Sequence, residues 1–447
     1  MAAGAQESLL DSWKGGLPDW LSVSGESRVR YETLDGQFRK DGAGGDQLLL
    51  FRSLFQVEAD FEDWAVGVEI QDSRTYLGDT GTPLGSSITN SLDILQLYTR
   101  IGLPGLLGPS SHTELILGRQ TVSIGSKRQI ERVSFANVIK SYTGGHLISR
   151  NEQGDELHAL LVVPINRLPN DFDGVLDNNL VADEEEWHRR IWGLHYRQAD
   201  SMTWLAPDIW SELFVYGLHE EDSEGEPTVN RNYLTPGFRL YRKPTPGHWD
   251  IDIEGAIRTG SRRATAAAGD REDLDVFASM LFAAVGYTFE LPWQPRLALE
   301  YYWASGDEDP EDDQYGQYER LFGSRRTDLN NTSIHGPLTP ANLSAPGLRL
   351  EVKPSQRMDA RIAYSAAFLA SERDAWVIAN LQDESGQSGR FLGHAFDGRL
   401  RYWLQEERLQ GELGVSFFLR GDYARNVSGS PQTDSTFFAY SSLSFHF

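Results

Sequence analysis

The chain has 447 residues, a net charge of −24 and no cysteine. This excludes a disulfide framework and a thiolate metal site, and it argues against a nucleic-acid partner, because phosphate binding needs a basic footprint. The longest nearly apolar stretch, 276–289, is shorter than the ~20 apolar residues a spanning helix needs, so helical membrane classes are excluded too. A mean hydropathy of −0.43 suits a soluble protein, but also a barrel whose strands face water on one side.

Met1 to Gln6 carry neither a basic start nor an apolar core. The chain therefore reads as mature, without a secretory signal, and 1–19 is expected as a periplasmic N-terminal segment. From Trp20 to Phe447 segments of period-two alternation recur, and 20–447 reads as a single transmembrane domain. Their connections alternate in length. Short joins fall at 62–64, 104–112, 151–155, 199–208, 243–248, 291–295, 353–356 and 405–408. Long ones centre on 35–46, 77–90, 122–142, 167–187, 220–231, 262–273, 306–345, 372–390 and 424–434. Roughly nine long loops and eight short turns imply about 18 strands of about 9 to 13 residues. The fold class is all-β: a transmembrane up-and-down antiparallel β-barrel with short periplasmic turns, long extracellular loops and both termini on one side. Closure is required because an open sheet edge in lipid leaves its N–H and C=O groups without partners.

The alternation is clean in several segments. Over 249–259, Ile251, Ile253 and Ile257 oppose Asp250, Asp252, Glu254 and Arg258. Leu297, Leu299, Tyr301 and Trp303 oppose Arg296, Glu300 and Tyr302, and Leu413, Val415, Phe417 and Leu419 oppose Glu412, Ser416 and Arg420. In the last segment Phe437, Ala439, Ser441, Leu443, Phe445 and Phe447 share one face. Successive strand side chains point to opposite sides, so one face suits lipid and the other a wet lumen. Trp20, Trp64, Trp249, Trp293, Trp303 and Trp403 sit near segment ends, where aromatic girdles mark the interfaces.

Acidic runs lie in the loops, at 183–186, 220–222 and 307–313. They suit solvated surface, or Ca2+ bridging the loops to anionic lipopolysaccharide; no other cofactor is expected. Of 41 basic residues six are Lys, leaving 41 − 6 = 35 Arg. By alternation Arg28, Arg30, Arg52, Arg239, Arg258, Arg349, Arg361, Arg399, Arg401 and Arg420 fall on the inward face. Guanidinium groups fork to carboxylates, so this lumen would attract an anionic solute. The same face carries Glu26, Glu58, Asp252, Glu254, Glu300, Glu351, Asp359, Asp397 and Glu412, which could instead pair with those arginines. No nucleophile elbow, zinc-protease helix or phosphate-binding loop is present. The nearest enzymatic candidate is His146 with Ser149, and an enzyme is not expected.

Leu117-Gly118-Arg119-Gln120, followed by Gly125-Ser126-Lys127-Arg128, resembles the Gly-Arg-Gln segment of the alginate-export family of outer-membrane proteins. In order, Gln71-Asp72-Ser73-Arg74 is similar to that family's Gln-Asp-Ala-Arg strand end, and Tyr302 to Asp307, leading to Arg320-Leu321-Phe322, to its Ser-Gly-Asp strand and large loop. Gly393 to Asp397 resembles a Gly-x-Glu-x-Asp strand, with Ala395 in place of the glutamate. The resemblance implies a bacterial outer-membrane barrel of eighteen strands whose arginine-rich constriction passes a polyuronate, with Arg52 and Arg119 carried over as lumen residues. It also implies a monomer; outer-membrane lipid and lipopolysaccharide are the expected surroundings, and an exporter would need a periplasmic scaffold to deliver its polymer. The expected function is a channel for passive diffusion or export of an anionic solute, an acidic polysaccharide or oligosaccharide such as alginate. A general anion or small-solute porin is the alternative, and an outer-membrane hydrolase is the reading from another class. The hydrolase needs His146 and Ser149 within hydrogen-bond reach.

Overall fold

The computed structural model describes residues 16–447 apart from 224–225, 268, 327 and 330–331. Most of the expected periplasmic segment, 1–15, lies outside the described residues. The first barrel strands are β1 (Leu21–Asp35), β2 (Gly45–Phe61), β3 (Trp64–Tyr76), β4 (Asn90–Leu103), β5 (His112–Gln120) and β6 (Tyr142–Arg150). They continue as β7 (Glu156–Asn166), β8 (Arg189–Gln198), β9 (Ile209–Glu220), β10 (Asn232–Arg242), β11 (Trp249–Arg263) and β12 (Asp273–Thr288). The last six are β13 (Arg296–Ala304), β14 (Leu343–Ser355), β15 (Met358–Phe368), β16 (Phe391–Gln405), β17 (Leu409–Arg420) and β18 (Ser435–His446).

Each strand pairs antiparallel with its sequence neighbour, and β18 returns to β1 in a register running from Glu26↔His446 to Asp35↔Phe437. The ring is closed, with eighteen strands, and no backbone edge faces lipid. No helix among the described residues is long and apolar enough to cross a membrane. Nine long connections, loops 1 to 9, span 36–44, 77–89, 121–141, 167–188, 221–231, 264–272, 305–342, 369–390 and 421–434. Loop 4 holds the short helix α1 (Phe172–Leu176) and loop 9 holds α2 (Asp422–Asn426). Several strands exceed the expected length, β2 reaching 17 residues. At about 3.3 Å per residue such strands overrun the hydrocarbon even when tilted, so their ends stand in water and carry the loops.

The alternation faces as expected. Leu213, Leu299, Ile362 and Phe277 are over 60% exposed on the outside, whereas Tyr302, Phe418 and Phe438 are buried inside. Trp20, Phe61 and Trp64 stack with ring centroids 5.8 and 4.5 Å apart at the short-turn end, where an aromatic belt anchors the barrel. The interior differs from a uniformly wet lumen. Phe38 of loop 1, Ile130 of loop 3, Tyr318 and Leu338 of loop 7 and Trp376 of loop 8 form one buried cluster with inward strand residues such as Leu160, Phe282 and Phe418. Long loops have folded back into the barrel and built its core there.

Leu299 sits mid-strand on the outer face, 65% exposed. Leu299→Arg is expected to cost about 2–4 kcal/mol of folding free energy in a bilayer, measurable by denaturant titration in lipid vesicles, while detergent-solubilised secondary structure stays unchanged.

Candidate functional site

Loop 3 starts on the wall formed by β8 and β9. Gly125, with φ +54°, lies against the hydrogen-bonded pair of His195 and Glu212, and a Cβ placed there would sit 2.8 Å from both side chains. Only glycine combines this left-handed backbone with so close an approach. Arg128 follows and is almost fully buried. Its guanidinium forks onto Asp328 of loop 7 at 2.7 and 2.9 Å and reaches Glu254 at 2.8 Å and Asp252 at 2.9 Å, both on β11. Phe282 closes it from one side, 3.8 Å from the ring centroid.

Beyond Arg128 the loop zips to loop 7. Phe322 N–H donates to Gln129 O at 3.0 Å, Glu131 N–H to Phe322 O at 3.2 Å, and Ser324 N–H to Lys127 O at 3.0 Å. The chain then reaches β1 and β2, where arginines receive its carbonyls. Arg52 donates to Ser134 O and Ala136 O at 2.7 and 2.6 Å, Arg28 to Ala136 O at 2.9 Å, and Arg30 to Phe135 O at 2.5 Å. Carbonyls buried inside a barrel need donors, and an arginine supplies several at once. Asn137 completes the anchor through donors to Phe51 O, Arg74 O and Ile88 O.

Between loops 1, 3, 4 and 7 lies a cavity of about 490 Å³. Arg30, Arg39, Lys140, Arg167, Arg320, Arg325 and Arg326 line it, and its described lining contains no carboxylate. Arg30 pairs with Glu32 at 2.7 Å and Arg326 with Glu412 at 2.5 Å. The other five cations donate to backbone carbonyls: Arg39 to Ile334, Arg320 to Gly323, Arg325 to Ser333, Gly336 and Leu338, Lys140 to Phe322 and Arg167 to Val138. Buried cations crowded together resist protonation. Burial, with Arg320 and Arg39 nearby, pushes Arg325 down to about 9. Burial lowers Lys140 well below the ordinary lysine range, and Arg320 and Arg167 add to the effect. Arg39 falls to about 10 through burial alone.

The arginines expected in the lumen divide into groups. Arg28, Arg30 and Arg52 hold loop 3. Arg258 donates to Thr235 and to the Glu319 carbonyl of loop 7 between the rings of Tyr233 and Tyr318. Arg349 contacts Glu300 at 3.0 Å and Asp328 O at 3.1 Å, and Arg420 ties Gln37 O of loop 1 to Pro431 O of loop 9. Nearer the short turns, Arg239 pairs with Asp252 and Glu212, and Arg399 and Arg401 share Asp359. Arg361, Arg399, Arg401, Arg296 and Lys353 line a second cavity of about 390 Å³ that also contains Glu351 and Asp359.

Arg119 departs from the lumen. Its register partner is Leu97, and with Leu117 it shares the lipid-facing side of β5, where it reaches Asp93 and Glu185 at 3.5 and 3.3 Å. The Gly-Arg-Gln motif placed it inside; strand parity puts it outside. Close by in loop 4, burial with Asp93 alongside pushes Asp183 up to about 6. His146 and Ser149 also do not meet. His146 stacks inward on His158, its Nε2 3.0 Å from Nδ1, while Ser149 faces the other way and bonds Thr113 at 2.7 Å. The cavity cations of loops 1, 3, 4 and 7 escaped the sequence reading because alternation orders strands and says nothing of loops.

The sequence model of the alginate export family matches residues 19–438. The chain belongs to the alginate export family. None of the curated proteins searched matches it. Among solved structures it is similar to OccK9 (OpdG) of Pseudomonas aeruginosa, with TM-score 0.61 at 14% identity, covering 96% of this chain and 98% of that one. It also resembles OccK2 (OpdF) of that organism in complex with glucuronate, TM-score 0.58 at 12% identity over 96% of both chains. The outer membrane protein OpdK gives TM-score 0.56 at 13% identity, covering 95% of this chain and 99% of that one. This family member is an outer-membrane barrel channel.

Gly125→Val places a branched side chain at a left-handed backbone position, costing about 1–3 kcal/mol locally. Faster protease cleavage and amide exchange within 121–141 are expected, with the barrel's thermal unfolding almost unchanged.

Proposed function

We propose that the channel conducts anionic solutes, and specifically carboxylated saccharides, through the cationic cavity between loops 1, 3, 4 and 7. The observation carrying this reading is a described lining of seven cations and no carboxylate, five of the cations donating to backbone carbonyls. A passing carboxylate would meet preformed donors and relieve the mutual repulsion of the guanidinium groups. Polar donors around an apolar floor that includes Ile88, Val133 and Phe135 suit a sugar ring. The family's description as alginate exporters supports an acidic polymer, and the OccK2 complex with glucuronate supports a uronate on a similar fold. The paired arginines nearer the short turns fit an approach path that guides anions without trapping them.

In a planar bilayer under a salt gradient, the reversal potential is expected to show anion preference, and an added oligouronate should block current. Lys140→Gln or Arg167→Gln should each reduce the anion-to-cation permeability ratio about threefold, the factor that ~0.7 kcal/mol of attraction at about 6 Å in water represents. Arg119→Ala, on the outer face, should leave it unchanged. Block by acidic sugars without preference over simple anions would favour a general anion porin, and cation preference would overturn the reading.

The lowered values of Arg325 and Lys140 fix the direction of pH dependence. Arg325, at about 9, loses its positive charge as pH rises through that value, and Lys140, lowered by burial, loses its own below the ordinary lysine range. A bound carboxylate raises both, so binding takes up protons and is tighter at lower pH. Oligouronate block is therefore expected to weaken as pH rises from 8 to 10.

A further inference from the structure

In a ring of eighteen strands, β11 and β2 lie nine strands apart in either direction, on opposite sides of the lumen. Loop 3 is bound to both. Arg128 holds Asp252 and Glu254 on β11, and six residues later Ser134 O takes a hydrogen bond from Arg52 on β2. The intervening chain must cross the channel. Loop 7 fills one flank of this bar, because Arg258 of β11, Arg349 of β14 and Glu412 of β17 all hold its residues. On the other flank the start of loop 3 rests on His195 and Glu212 of β8 and β9.

Among the described residues the bar is joined to loop 7 by the three backbone hydrogen bonds around Phe322, by Tyr318 donating to Gln129 at 3.0 Å, by Lys140 donating to Phe322 O and by Arg326 over the Phe135 ring. One carboxylate crosses it, in the bidentate fork from Arg128 to Asp328. Arg128 has a second set of acceptors on the wall, Asp252 and Glu254, and Arg239 stands ready to share them. Loop 7 can thus leave without stranding the guanidinium in an uncompensated site. Asp328, conversely, keeps its own anchor to the wall through the carbonyl bond from Arg349.

We infer that the seam between loops 3 and 7 is the gate of the channel and that the Arg128–Asp328 fork is its latch. Opening moves loop 7 away from the crossbar while loop 3 stays fixed to both walls. Loop 7 also supplies Arg320, Arg325 and Arg326 to the cationic cavity, so gate position and cavity shape change together. The inference rests on the barrel conducting, but not on which anion it carries.

The chain contains no cysteine, so a pair introduced at Ile130 and Phe322, which face each other across the seam, would form the only disulfide. Single-channel recording then reads the gate. Asp328→Asn is expected to raise open probability about tenfold, since charge-assisted bidentate bonds are roughly twice as strong as neutral ones. Oxidation of the Ile130→Cys, Phe322→Cys pair should reduce openings at least tenfold, with recovery under reductant; the reduced pair serves as its own folding control. Equal conductance oxidised and reduced would overturn the gate. Closure by oxidation together with a wild-type open probability in Asp328→Asn would overturn the latch. Absence of current in the wild type, Asp328→Asn and the reduced pair alike would overturn conduction itself, a result no gate defect produces in all three.

Discussion

A strand edge inside hydrocarbon has nowhere to place its N–H and C=O groups, and the pairing of β18 with β1 removes the last such edge from this chain. Much follows from that one seam. Closing eighteen strands fixes a circumference whose interior is too wide for side chains from opposite walls to meet. The space must then hold water or more chain, and here much of it holds chain. Loops 1, 3, 7 and 8 fold inward and make an apolar core of their own, and cations line the cavity left beside it.

Inward loops carry a second constraint with them. Irregular backbone buried within a barrel brings carbonyl oxygens that no strand can satisfy, and each would cost a lost hydrogen bond if left alone. Arginine meets this demand better than lysine, with five donors in a rigid plane. The excess of arginine over lysine is thereby explained in large part by architecture: Arg28, Arg30, Arg52, Arg258, Arg325 and Arg420 all donate to loop carbonyls. In the function proposed above, selectivity is a by-product of such donors crowding together in a cavity whose described lining has no carboxylate. The same residue type holds the plug in place and makes its surroundings positive.

Legibility in the sequence divided along the same line. Strand number, loop alternation and lipid-facing positions were readable because the bilayer imposes a period of two and a minimum length, as in the outward series Leu413, Val415, Phe417 and Leu419. Inward arginines such as Arg52 and Arg258 were identified by parity, but parity does not say whether a partner is solvent, a carboxylate or a loop carbonyl. Arg119 shows the opposite failure: a motif match overrode the alternation, and register with Leu97 places it outside. Lys140, Arg167 and Arg320 had no periodic frame at all. They come together through contacts between loops distant in the chain, which no local pattern encodes.

The Arg128 fork joins residues 200 positions apart. Loop-closure entropy opposes such a contact until the intervening strands have brought its ends together, so it belongs to the last steps of assembly rather than the first. The barrel would therefore be delivered into the membrane as a ring with an unblocked bore and acquire its crossbar afterwards. With the gate inferred above, permeability control becomes a maturation event, separate in time from insertion.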